Sequence, residues 1–399
     1  MTGQTKNLFA CNVASAVSRN PDGIQAIQEV CREALAKSKM KQASWCIVFA
    51  NIHYLSDYRE MLTLAAKIIG THSIAGCSAS GILTEQGEIN RPPAVGVLLG
   101  SDPRIRMQPF LLQGLKKKSR KIAEEILQNL PEDARTIILF PDIFQLDSEE
   151  FFGVFNDFNK NRKTPIKIVG GAPSSENPVC GTVQFAGTEI VQGGVSGFYL
   201  CGGSRCHVGV SQACKPITQI HEVTACEGRW ILEINGEPAY KILCENVPEP
   251  LLGDPKRLIQ YVFLAVPADS HQPLEQGNYL VRNIVGIDAR ENIIACSGKI
   301  NKGMNISFAL RNGDSSRENL KNVLKALKED LNGDQPQFGI YFNCCARGPE
   351  LYGMDDIDTS YISQEFQTLP FIGLASFGEI GPISKEHFLQ TYSGILMLA

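Results

Sequence analysis

The 399-residue chain contains no run of about eighteen apolar residues, so nothing in it predicts a helix that crosses a membrane. It also lacks an excess of charge of either sign. With 38 Lys and Arg against 42 Asp and Glu, the formal net charge is -4, which gives no electrostatic footprint for nucleic acid or an anionic membrane surface. Neither is expected as a partner. There is no C-x-x-C, no H-E-x-x-H and no close pair among the six histidines, and Cys201 and Cys206 have no second pair to complete four ligands. No metal site is expected. The phosphate-binding pattern G-x-x-x-x-G-K-S/T is missing too, and Gly76-Cys77-Ser78-Ala79-Ser80 lacks the second glycine of a nucleophile elbow. No cofactor is implied.

What is present is an ordinary globular composition, 43% hydrophobic and 20% charged, over a length that suits two to three domains or one large repeated one. The 13 cysteines are odd in number, scattered, and in several cases set inside apolar runs. That pattern predicts reduced, buried thiols and a cytoplasmic location rather than a disulfide framework. Residues Leu8 to Val17 read as a first strand, because Asn12 and Ser15 interrupt any signal-like apolar run and only Lys6 lies before it.

The chain repeats an order of elements. CIVFA (46–50), a helical stretch from Asp57 to Gly70, SIAGCSASG (73–81), a turn with Glu88, and AVGVLLG (94–100) form the first set. TIILFP (136–141), a helix from Asp147 to Asn159, IKIVGGAPSS (166–175) and GVSGFYLCG (194–202) form the second. FGIYFNCCARG (338–348), a helix from Asp356 to Gln367, PFIGLASFGEIGP (370–382) and TYSGILMLA (391–399) form the third. A strand, a helix and a second strand make a right-handed parallel crossover, and the next strand returns antiparallel. Because TIILF and GILMLA are continuously apolar, both strand faces should be buried. The expected fold is therefore α/β, with internally repeated strand-helix-strand-strand units whose mixed sheets stack face to face with helices outside, an α/β/β/α-like sandwich.

In Asn319 to Leu331 the apolar residues fall on one stripe, Ser315 and Glu318 suggest a capping box, and Asn332-Gly333 ends the helix. Residues 204–310 read as mostly β, with turns at Asn235-Gly236 and at 288–292 and a helical stretch from Asp254 to Val266. A boundary near Gly202-Gly203 divides the chain into 1–203, holding two units, and 204–399, holding a β-rich insertion and the third unit. The one basic cluster, Lys116, Lys117, Lys118, Arg120 and Lys121, is expected to solvate the start of a helix ending near Asn129.

The tail CCARGPELYG, LPFIGLASFGEIGP and TYSGILML closely resembles the C-terminal half of the FIST proteins (F-box and intracellular signal transduction), and IAGCSASGILTEQGE with the strand after it resembles their N-terminal half. The two halves together cover nearly the whole chain. The resemblance implies a sensory module that binds small ligands, with amino acids as candidates, and that acts alone or with a signalling protein. Eukaryotic relatives carry an F-box before it. Here the pattern begins near residue 8, so no F-box is expected within this sequence.

The candidate site lies at the carboxyl ends of strands, where ligands of open α/β sheets bind. Cys344, Cys345 and Arg347 end one strand of the third unit, and Ser376 and Glu379 end the strand reached through its helix. Arginine offers a planar fork for a carboxylate and glutamate accepts from an ammonium, so the two would suit an amino acid; alternatively they bridge each other and lock the loops. Ser78 and Ser80 in the first unit, and Ser174 and Ser175 in the second, hold the equivalent place, either as anion holders or as turn residues. Cys344 is the candidate nucleophile, weighed against a buried cysteine acting as a small hydrophobe. Three readings follow: a cytoplasmic small-molecule sensor, favoured because no complete catalytic set is present; a Cys-dependent enzyme on an acyl or amide substrate; and a protein-interaction scaffold. Homo-oligomers are compatible with all three.

Overall fold

A computed structural model describes residues 12–203, 205–268, 274 and 277–399. Residues 8–11 of the expected first strand lie outside the described residues. The first segment contains β1 (Asn12–Ser18), α1 (Gly23–Lys37), β2 (Trp45–Ala50), α2 (Tyr58–Ile69), β3 (Ile74–Ser78), β4 (Ile82–Thr84), β5 (Gly87–Ile89) and β6 (Val95–Ser101). The second contains β7 (Ile105–Gln113), α3 (Ser119–Gln128), β8 (Ala134–Pro141), α4 (Ser148–Lys160), β9 (Lys167–Gly171), β10 (Gln184–Ala186), β11 (Glu189–Val191) and β12 (Gly194–Gly202).

The third opens with β13 (His207–Gln212) and is then interrupted by β14 (Cys214–Pro216), β15 (His221–Glu227), β16 (Trp230–Ile234), β17 (Glu237–Pro238), α5 (Ala239–Asn246), α6 (Glu249–Leu252), α7 (Pro255–Tyr261), β18 (Val262–Pro267), β19 (Tyr279–Asp288), β20 (Ile293–Cys296) and β21 (Asn305–Arg311). It resumes with α8 (Gly313–Asp330), β22 (Gly339–Cys344), α9 (Pro349–Tyr352), α10 (Ile357–Glu365), β23 (Phe371–Ser376), β24 (Glu379–Ile383), β25 (Glu386–Gln390) and β26 (Ser393–Leu398).

Three six-stranded mixed sheets result, ordered β1-β6-β2-β3-β10-β11, β7-β12-β8-β9-β24-β25 and β13-β26-β22-β23-β4-β5. The pairs β2–β3, β8–β9 and β22–β23 are parallel, as a helical crossover requires. Each sheet is completed from elsewhere in the chain. The hairpin β4–β5 leaves the first sheet to pair Leu83 with Gly373 of the third, β10–β11 returns to pair Phe185 with Gly76 of the first, and β24–β25 pairs Ile380 with Gly170 of the second. Gly76 and Gly170 are needed here, since a Cβ at either would collide with a backbone carbonyl of the neighbouring parallel strand.

Alternation along the strands sets the layers. Trp45, Ile47 and Phe49 of β2, Ile138 and Phe140 of β8, and Ile340 and Phe342 of β22 point into one shared core. Their neighbours point outward, Cys46 and Val48 toward α1 and α2, Ile137 and Leu139 toward α3 and α4, and Tyr341 toward α8 and α10. The helices are outside, but the expected two-layer stack of sheets is replaced by three sheets around one core. An apolar run reports that both faces are covered and is silent on how many sheets share the inner one.

The insertion is a closed six-stranded barrel, β18-β21-β15-β16-β20-β19, sealed by the pairing of β18 with β21 and filled by its own apolar cluster. Phe263 of the barrel packs on Tyr392 at 4.5 Å between ring centroids, which docks the barrel against the third sheet. Two local expectations change. The helix read over Asp254–Val266 ends at Tyr261, because VFLAVP forms β18 in the barrel wall. The capping box of Ser315 and Glu318 does not form; Asn312 caps α8 by accepting from the Ser315 amide at 2.9 Å, one turn earlier.

Candidate functional site

The carboxyl ends of β3, β9 and β23 converge, so the sequence-predicted serines do meet. Ser174 Oγ accepts from the Ser80 amide at 2.8 Å, lies 3.0 Å from Ser80 Oγ and donates to the Ala375 carbonyl, while the Ser174 amide donates to the Ser78 carbonyl at 3.1 Å. Ser78 Oγ accepts from the Val183 amide at 3.0 Å. Ser376 Oγ donates to the Gly378 carbonyl at 2.6 Å, and Ser175 Oγ to that of Asn177 at 2.8 Å. These hydroxyls hold loops together: the exchanged hairpins must leave each sheet here, and the turns would otherwise bury backbone groups without partners.

Arg347 is in a different situation. Its bridge is not to Glu379 but to Asp358 of α10, with Nε and Nη2 donating to the two carboxylate oxygens at 2.9 and 3.0 Å. Arg347 is 2% and Asp358 0% exposed. Tyr341 and Tyr352 donate to the same carboxylate at 3.0 and 2.8 Å, and Arg347 Nη2 also donates to Tyr352 Oη at 2.7 Å. Burial opposes the charge of the guanidinium, but the Asp358 carboxylate outweighs it and holds the pKa well above its ordinary value. Arg347 Nη1 is buried without a partner.

Glu379, 0% exposed, is fixed by Ser393, whose hydroxyl and amide donate to Oε2 at 2.8 and 3.2 Å, and its Oε1 has no partner. Burial pushes this carboxyl well above the carboxylate range, with Cys344 adding to the shift and Arg347 opposing it. Asn343 Oδ1, at the end of β22, is also buried and unpartnered. Unpartnered polar atoms thus lie on β22 (Asn343 Oδ1), on the turn after it (Arg347 Nη1) and at the start of β24 in the second sheet (Glu379 Oε1).

The two cysteines differ. Cys344 is 6% exposed, and the hydrogen bond of its thiol to Cys345, together with burial, pushes its pKa well up. Cys345 is exposed, and the same hydrogen bond holds its thiol below the ordinary value. Sequence reasoning settled on Cys344; strand alternation could not show that the chain turns after β22. It also missed Tyr341 on β22 itself, Asp358 on α10 and Ser393 on β26, and the part of Glu88. That residue, on the exchanged hairpin, has a buried Oε1 without a partner and a carboxyl raised to about 7 by burial and by Asp358. No helix among the described residues is long and apolar enough to cross a membrane.

Three mixed sheets and a barrel make this a mixed α/β protein, and the sequence comparisons give the family. Residues 44–237 match the FIST N domain and residues 239–382 the FIST C domain. The chain belongs to the FIST family, which is generally associated with sensory signal transduction. An uncharacterized protein of Mycobacterium tuberculosis, Rv0628c, is 24% identical over 389 residues, covering 97% of this chain and 99% of its own. Another of Mycobacterium bovis, Mb0898c, is 25% identical over 390 residues, covering 97% and 98%. A crystal structure of chorismatase aligns over 99% of this chain and 100% of its own, but with 9% identity and a TM-score of 0.31, too low to carry an inference.

Proposed function

We propose that the chain is a cytoplasmic sensor of a small charged metabolite, an amino acid being the first candidate, bound by Arg347 after β22 of the third sheet and Glu379 at the start of β24 of the second. One observation carries this reading: Arg347 Nη1 and Glu379 Oε1 are buried without partners on side chains whose other atoms are fixed. A buried polar atom left alone costs about 1–3 kcal/mol, so a ligand with one acceptor and one donor group gains what the protein lacks. A carboxylate facing Nη1 and an ammonium facing Oε1 fit that pair.

The cluster touches elements that a ligand could bias. Asp358 lies on α10, Glu88 on the hairpin exchanged from the first sheet, and Tyr392 against the barrel, so ligation there is felt by both halves, divided near residue 203. A signalling protein or a second copy would read the change. The cytoplasmic location is supported by the twelve described cysteines, all free. The common strand order of the three sheets supports reading them as copies of one unit.

A thermal-shift panel of amino acids and other small charged metabolites tests the reading. A ligand at 100 times its dissociation constant raises stability by about 2.7 kcal/mol, visible as a higher melting temperature. The shift should vanish in Glu379→Gln, which keeps the shape and the Ser393 contacts. A response that survives in this variant removes Glu379 from the site, and silence across the panel removes the small-metabolite reading.

A further inference from the structure

The basic cluster that follows β7 and the two most exposed large apolar residues among those described, Val179 at 94% and Phe144 at 67%, come together at the carboxyl end of the second sheet. They line two adjoining grooves. One, of about 630 Å³, is lined by Lys116, Lys117, Phe144 and Leu146; the other, of about 750 Å³, by Lys118, Val179, Gln113 and Gln192; Gln145 lies in both. The exposure of Phe144 is built into the fold. The Asp142 carboxylate accepts from the Phe144 amide at 3.0 Å, and the Asp142 amide donates to the Gly194 carbonyl at 2.9 Å, so the turn that carries the ring is braced from below. Ser119 Oγ accepts from the Asp147 amide at 2.9 Å, which ties the lysine loop to the Phe144 loop. The Phe144 ring stands edge-on to Phe377 at 5.7 Å between centroids, so the apolar surface continues onto the turn after β23 of the third sheet.

The charge beside these rings is not balanced internally. Among the described residues no carboxylate pairs with Lys116, Lys117 or Lys118, whereas Arg120 of the same cluster is paired with Glu124 at 3.0 Å. Asp147 and Glu150 also line the first groove, but the Asp147 carboxylate caps α4 by accepting from the Glu150 amide at 3.0 Å, and the surplus of charge lies with the lysines. Fixed, solvated aromatic area flanked by unpaired cations is complementary to a partner that brings apolar area and negative charge.

We propose that this face is a docking surface for an acidic peptide segment of a partner protein, in which an apolar side chain packs on Phe144 and Phe377 while flanking Asp or Glu carboxylates meet Lys116, Lys117 and Lys118. The side-chain amides of Gln113, Gln145 and Gln192 line the grooves and match the polar backbone of such a segment. A short segment fits better than a polyanion. The whole chain carries a formal net charge of -4, so a nucleic acid or an anionic membrane surface would gain the lysines at this patch and meet repulsion beyond it. Docking here does not depend on a metabolite at Arg347 and Glu379.

The probe is an array of fluorescein-labelled peptides in which Glu alternates with Leu, Val or Phe, each titrated with the full chain and followed by fluorescence anisotropy. At least one peptide should bind saturably, weaken as salt is raised, and lose affinity when Gln replaces its Glu. Phe144→Ala, and Lys116→Glu combined with Lys117→Glu, should each weaken that peptide about ten-fold or more and leave the melting curve of the protein unchanged, because all three side chains are exposed. Binding that survives both variants, or no binding across the array, overturns the proposal. Tighter binding to phosphatidylserine vesicles or to a single-stranded oligonucleotide than to any peptide overturns the peptide as occupant and gives the lysines to that anion.

Discussion

Two polar clusters occupy strand ends in this protein and are built from similar residue types, yet one is closed and the other open. Around Ser174 the hydroxyls and amides of three loops pair with one another, with Ser80, Ala375 and Ser78 all engaged. Around Arg347 the bonds are stronger and more buried, but Arg347 Nη1, Glu379 Oε1 and Asn343 Oδ1 are left over. A short hydroxyl has one proton and is satisfied by any nearby carbonyl. A guanidinium has five donors in a fixed plane, and one carboxylate with one phenol cannot use them all. Residual hydrogen-bonding capacity, rather than polarity, separates a site that can receive a ligand from a joint that holds loops.

The comparison can be broken most severely at Asp358. Asp358→Ala removes the partner of a fully buried guanidinium and should cost about 3–5 kcal/mol in urea denaturation, whereas a loss near zero would mean that the pair is solvated. Ser174→Ala should cost less, about 1–3 kcal/mol, because neutral groups are left unpaired, and it should leave any metabolite-induced thermal shift intact. If it instead abolished that shift, the closed cluster would be part of the site.

Glu88 gives a smaller and pH-dependent effect. Its folded pKa of about 7 lies above the ordinary 4.5, so the folded state holds an extra proton between these values and stability falls as pH rises through that window. Relative to the parent, Glu88→Gln should therefore gain melting temperature from pH 5 to about pH 8, and parallel curves would show that the carboxyl titrates normally. The smallest change is expected for Glu379→Gln, within about 1 kcal/mol, because an amide of the same shape replaces a carboxyl whose charged form burial already disfavours. A larger loss would mean that the carboxylate form is needed for folding.

Much of this was legible in the chain. The helices over Tyr58–Ile69 and Ser148–Lys160 stand where Asp57 and Gly70, and Asp147, mark their ends; Gly70 turns left-handed and the Asp147 side chain accepts from Glu150. The Asn235-Gly236 turn has both residues at positive φ, as a tight hairpin needs. The family motif led to Arg347 and Glu379, both buried at strand ends. α1 was not anticipated, although Asp22 caps it, and neither was the closure of the barrel. Asp358 was passed over because it is eleven residues from Arg347 and nothing in the spacing distinguishes it from Asp355 or Asp356.

By itself the sequence determined which strands are buried on both faces, where the helices over Tyr58–Ile69 and Ser148–Lys160 begin and end, and which family the chain joins, since these depend on local periodicity, capping and short motifs. Only the tertiary structure decided that three sheets share one core, that each takes its last hairpin from another segment, that Arg347 pairs with Asp358 instead of Glu379, and that Cys345 rather than Cys344 faces solvent. Those outcomes turn on contacts between residues far apart in the chain and on the direction of a single turn after β22, where one residue's rotation exchanges inside for outside.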